Sequence, residues 1–167
     1  GQDGSYSAEA IVRTANADLA NSFGNLAQRS LSMIFKNLDG RLSTDYTLSQ
    51  EDADLLADLL AMAEERLPRE FEQLAFSVGI EDWIRAVFAC NQYVDAQAPW
   101  ALRKSDPERM RAVLMTLFQA VRTLAIAIRP VVPDAADKLL DQMGIAADAR
   151  DFAALADRDW FAKLAAS

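Results

Sequence analysis

The chain has 167 residues, 51% apolar and 25% charged, with a formal net charge of −8, a balance that suits one globular domain with a single hydrophobic core. It contains no histidine, one cysteine and six scattered glycines, which argues against imidazole-dependent bases and triads, a zinc site, an internal disulfide and a phosphate-cradling glycine loop. No apolar run approaches the roughly 18–20 residues that span a bilayer, and Gly1 to Ser7 is too polar for a signal peptide.

Residues 8–37 read as one long helix, because Ile11, Ala15, Leu19, Phe23, Leu26, Ser30 and Met33 recur at helical spacing on one stripe. Ser7 is its candidate N-cap, and Asn37-Leu38-Asp39-Gly40 stops it. After a loop over 41–48, Ser49 with Asp52 predicts a capped helix whose apolar face is Leu55, Leu56, Leu59, Met62 and Ala63. Pro68 should kink or end that helix. The pattern resumes through Phe71, Leu74 and Ala75, and Gly79 is expected to break it.

A third helix is expected over about 80–96, with Ile84, Val87, Phe88, Asn91 and Val94 on one face. On that reading Asn91 is a satisfied core amide and Cys90 a core thiol. Ala98-Pro99-Trp100 ends the helix and places an aromatic at a loop. Asp106-Pro107 caps a fourth helix reaching Arg129, and Pro130 and Pro133 bracket the next turn. A short helix with Leu139, Leu140 and Met143 closes on Gly144. The tail from Asp151 to Ala166 offers Phe152, Leu155, Trp160 and Leu164 for docking, and Trp83 and Trp160 read as core or docking residues. No strand periodicity appears, so the fold class is all-α: a bundle of about five or six helices.

The acidic total speaks against nucleic acid, but the charge is uneven. Segments 50–74 and 134–159 carry nets of −6 and −4, whereas 99–129 carries +4 and 8–41 carries +1. A local basic patch can hold phosphate on an acidic molecule. Asn21, Asn25 and Arg29 form a second, polar stripe on the first helix, at about 200°, 240° and 280° from Leu19 at 3.6 residues per turn. Two amides and a guanidinium in line match the edges of unstacked bases; by spacing alone the stripe also fits a solvated helix face. Trp100 fits a stacking platform for a flipped base, or a plug at the end of the bundle. Arg103 and Lys104 are candidate phosphate contacts. Lys36 and Arg41 fit ordinary surface charge.

These residues carry a resemblance. The run from Asn16 to Arg29 resembles the opening helix of the anticodon-binding domain of methionyl-tRNA synthetases, which are class I enzymes. Asn91, Tyr93 and the Ala98-Pro99-Trp100 that follows resemble its second signature, and Arg122 to Pro133 resembles its proline-bracketed segment. The last run alone is shared with leucyl, isoleucyl, valyl and cysteinyl relatives; the Asn/Asn/Arg stripe joined to Pro-Trp is specific. Ser22-Phe23 departs from the family's usual pair and leaves the stripe intact.

The resemblance implies that residues 8–167 form the helical anticodon-binding domain, with 1–7 a link from a catalytic half; the missing initiator methionine fits a piece of a longer protein. Asn21, Asn25, Arg29 and Trp100 would contact the CAU anticodon of methionine tRNA, with Pro99 setting the position of Trp100. Joining methionine to tRNA with ATP would belong to the parent's catalytic domain, as would its zinc-binding cysteines. That domain's His-Ile-Gly-His and Lys-Met-Ser-Lys-Ser motifs are absent here, so no catalytic, cofactor or metal residue is assigned and the fragment alone should be inactive. The implied partners are that tRNA and the parent's own catalytic domain, with no membrane and no DNA, in the cytoplasm. The rival readings are the equivalent domain of another class I synthetase, a helical protein-interaction module and a small helical enzyme, the last opposed by the lack of histidine and of clustered metal ligands.

Overall fold

A computed structural model describes residues 13, 19–73 and 75–167, and its elements are helical throughout. Among the described residues eight α-helices follow in order: α1 Gly24–Leu38, α2 Gln50–Ala61, α3 Leu67–Glu72, α4 Phe76–Gln97, α5 Pro99–Ser105, α6 Pro107–Ile128, α7 Pro133–Gln142 and α8 Trp160–Ala166. Five of them have ten residues or more. The expected link at residues 1–7, the Ser7 cap, Ile11, Ala15 and Leu74 lie outside the described residues.

The bundle is organised around α6. Seventeen of its 22 residues are buried, and it packs against α1, α2, α4, α5 and α7 and against the 3-10 turn at Phe152–Ala156. It is the one described helix long and apolar enough to cross a membrane, which the run-length reading had not singled out, but 89% of that apolar window is buried inside the bundle. Trp83 of α4 is wholly buried, donates its indole N–H to the Leu124 carbonyl at 3.0 Å and meets Phe23 edge-on at 5.3 Å. A buried indole thereby satisfies its one polar group on the central helix.

Local chemistry explains most boundaries. Asp39 (φ 54°) and Gly40 (φ 70°) turn left-handed after Leu38, and both N–H groups reach the Ile34 carbonyl. Ser49 and Asp52 form a reciprocal capping box. The helical path continues through Pro68 rather than ending at it. A π-helical turn, Met62–Arg66, precedes it, and Pro68 falls in the first turn of α3, where its missing N–H is not needed.

Two boundaries differ from expectation. The short helix α3 ends at Glu72, and Gly79 sits inside α4, which begins at Phe76, rather than breaking the pattern. The glycine is a packing requirement: a Cβ on Gly79 would lie 2.5 Å from the Phe71 ring. The second difference is Trp100, which lies in the first turn of a short helix rather than on a loop. Ala98 takes φ 45°, α4 stops there, and Pro99 starts α5.

One buried polar brace holds this corner. Asp52 at the start of α2 receives both Nη atoms of Arg109 (2.6 and 2.8 Å) and the hydroxyl of Tyr93. Arg109 Nη2 also donates to Gln97 Oε1 at 2.8 Å. The last residue of α4, and with it the turn into Trp100, is thus fastened to α2 and α6. Burial opposes ionisation of Asp52, but bonds from Arg109, Tyr93 and the Ser49 N–H outweigh it and hold the carboxyl below its ordinary range.

Candidate nucleic-acid interface

The polar stripe of α1 forms one wall of a shallow cleft of roughly 610 Å³, lined by Asn21, Ser22, Asn25, Gln28, Arg29, Ser32 and Asn91. Asn21 belongs to a π-helical turn, Leu19–Phe23, so its angular position departs from ideal α spacing, yet it still opens on the cleft. Asn21, Asn25 and Arg29 are exposed. Beneath them Phe23, Leu26, Ala27, Ser30 and Ile34 are buried and seat α1 on the bundle. The amphipathic pattern alone dictates this division.

Arg29 joins the stripe to Trp100. Its guanidinium carbon lies 5.7 Å from the centroid of the indole, and Nη2 lies 3.7 Å from Asp95 Oδ1. Trp100 is 52% exposed, so it does not plug the bundle. Pro99 is buried and opens α5, which sets the direction in which Trp100 leaves the bundle. Arg103 and Lys104, three and four residues on, share the Trp100 face of α5. Both are exposed, and neither has a carboxylate partner among the described residues.

Asn91 is the functional candidate that sequence reading missed. It is half-buried at the cleft rather than inside the core. One amide N–H bonds the Val87 carbonyl at 3.3 Å, which leaves its oxygen and second N–H for a ligand. Its place in the family signature was the available signal; the expected apolar face was drawn slightly off-centre. The centre of the buried α4 face is Trp83, Val87, Cys90 and Val94. Phe88, expected on that face, is 60% exposed.

The basic excess of 99–129 does not form a continuous RNA track. Arg109 is committed to Asp52, Arg111 to Asp45, Arg129 to Asp137, and Arg122 is buried. What remains for phosphate is Arg103 and Lys104, beside Trp100. The cleft therefore offers edge-reading amides, one guanidinium, one stacking surface and a small cationic border. It holds no nucleophile–base pair, and no three His, Cys, Asp or Glu side chains gather into a metal site among the described residues.

The comparisons with known proteins agree on one family. A family model described as the anticodon binding domain of methionyl tRNA ligase matches residues 44–165. Methionine–tRNA ligase of Brucella suis biovar 1 is 44% identical over 153 residues, covering 92% of this chain and 30% of that protein. The enzyme of Mycobacterium bovis is 45% identical over 162 residues, covering 95% and 31%. The crystal structure of ligand-free Mycobacterium tuberculosis methionyl-tRNA synthetase aligns with a TM-score of 0.81 at 42% identity, over 89% of this chain and 31% of that one. The chain thus spans under a third of the length of these relatives.

Proposed function

The chain belongs to the anticodon-binding domains of methionyl-tRNA ligase, and we propose on that premise that its cleft reads the CAU anticodon of methionine tRNA. The observation that carries this reading is the convergence of Asn25, Arg29 and Asn91 on one cleft with Trp100 against Arg29. Unstacked bases need a flat partner and in-plane donors and acceptors, and this arrangement offers both. Asn21 and Asn25 present amide edges, Arg29 a donor fork, and Trp100 a stacking surface that Pro99 orients. Arg103 and Lys104 hold the adjoining phosphates.

The domain is then a specificity module. Attachment of methionine with ATP takes place on the parent's catalytic half, where ATP and zinc would also sit. This piece alone is inactive in aminoacylation. The setting is the cytoplasm, with no DNA or membrane partner.

Titration with anticodon stem-loops of different sequence tests the reading. Preference for CAU supports it. Preference for another anticodon assigns the domain to a different class I specificity, and no RNA binding would leave a protein-interaction module.

A further inference from the structure

Phe88 lies 60% exposed on α4. Single exposed apolar residues are normal, so its position is what counts. At about 100° per residue, Phe88, Asn91 and Asp95 fall within about 60° of one another on α4. Asn91 lines the cleft and Asp95 reaches Arg29. Phe88 is one turn before Asn91 and two before Asp95; it is outside the set that lines the cleft, and helix spacing puts it just beyond Asn91 on the α4 side.

Helix direction fixes which end it borders. Phe23 meets Trp83, and Arg29 meets Asp95; residue numbers rise together, so the two segments run in the same sense. Trp100 stands at the Arg29 end. Phe88, about 10 Å of helix rise before Asp95, stands toward the Asn21–Asn25 end. Among the described residues the other exposed large aromatic, Phe35, lies against the Gly40 turn.

We infer that Phe88 is a second stacking platform, taking an unstacked base of the same RNA loop at the end of the cleft opposite Trp100. The inference rests on the anticodon-reading function proposed above. Asn91 deepens it, because the amide oxygen and remaining N–H lie one helical turn from the ring. A base laid on Phe88 presents its edge to Asn91, so stacking and edge reading act on one nucleotide. Trp100 and Arg29 repeat that pairing at the other end.

The test uses the full ligase carrying this domain and anticodon stem-loops with 2-aminopurine at each loop position in turn. Phe88→Ala should weaken binding about 5- to 150-fold, the range of one base–aromatic stack. It should also relieve aminopurine quenching at a position different from the one that Trp100→Ala relieves. Phe88→Tyr should bind like the native chain, and Phe88→Leu should be as weak as Phe88→Ala. Native affinity in Phe88→Ala, or in Phe88→Leu, overturns the stacking role. If Trp100→Ala weakens binding and Phe88→Ala does not, the second platform alone is wrong. If the native ligase binds no stem-loop, the proposed function fails with it.

Discussion

Arg29 lies over the indole of Trp100, 5.7 Å from the ring centroid, and its Nη2 lies 3.7 Å from Asp95 Oδ1. Two elements far apart in sequence therefore meet through one guanidinium. A cation–π contact at an exposed site contributes about 0.5–1 kcal/mol, and an exposed ion pair about 0–1 kcal/mol. Neither is large enough to hold the bundle together. The arrangement positions Arg29 before any ligand arrives.

Binding and stability should consequently separate at this site. Trp100→Ala should weaken anticodon stem-loop binding by about 1–3 kcal/mol while changing unfolding free energy by about 1 kcal/mol or less. Arg29→Ala should also weaken binding, and the double variant should lose less than the two losses added, because the side chains are in contact. Titration and urea denaturation of the same samples measure both. A Trp100→Ala chain that loses several kcal/mol of stability would make the indole a structural plug.

The opposite behaviour is expected at Asp52. Its carboxylate is wholly buried and held by Arg109, Tyr93 and Ser49. Asp52→Asn strands the Arg109 guanidinium and should cost about 3 kcal/mol of stability near neutral pH. The sign with pH follows from the lowered pKa. The carboxylate's contribution is complete above its unfolded value and is lost as pH falls through the folded one. Native stability should therefore drop below about pH 4, and the gap to Asp52→Asn should narrow there. Urea titrations at neutral pH and at about pH 3 distinguish this from a gap that is constant with pH.

The contrast between these residues shows what was legible in the sequence. The Asn21/Asn25/Arg29 stripe depended on side-chain direction along one helix, which periodicity gives directly. So did the buried faces of α1 and α6 and the caps at Ser49 and Asp106. Phe88 and Asn91 were misplaced because several neighbouring stripes of α4 are rich in apolar residues, and tertiary packing chose the one centred on Trp83 and Val87. The basic excess around Arg109 to Arg129 was visible, but its partners, Asp52, Asp45 and Asp137, come from other parts of the chain. Net charge by segment cannot show that pairing.

Gly79 is a similar case, because its reason lies in a neighbour. In an exposed helix, glycine to alanine would stabilise by about 1 kcal/mol. Here the new methyl would lie 2.5 Å from the ring of Phe71, which also stacks with Phe76 at 5.7 Å. Overpacking of this kind costs about 1–3 kcal/mol. Gly79→Ala should therefore lower the unfolding midpoint, and Phe71→Leu added to it should cost less than Phe71→Leu in the native background. Thermal denaturation of the four chains checks this; strictly additive losses would exclude the contact as the cause.

Arg122 tests whether a buried cation is needed for stability. It is 1% exposed on the central helix; Nη2 bonds the Ala154 carbonyl at 3.2 Å, while Nε and Nη1 have no hydrogen-bond partner among the described residues. Its guanidinium lies 4.1 Å from the centroid of Trp160, and burial pushes its pKa down to about 10. The charged form is thus disfavoured by folding, a penalty that persists below about pH 10 and is relieved above it. Replacing such a group by an apolar one of similar length is often neutral or stabilising, and a methionine sulfur packs well on an aromatic ring. Arg122→Met should retain stability within about 1 kcal/mol, whereas Arg122→Ala should lose about 2–4 kcal/mol by leaving a void under Trp160. Guanidinium denaturation, with proteolysis after Asp151 as a probe of tail docking, separates the two. A Met variant as unstable as the Ala variant would mean that the guanidinium's polar contacts, rather than its volume, hold the tail on the bundle.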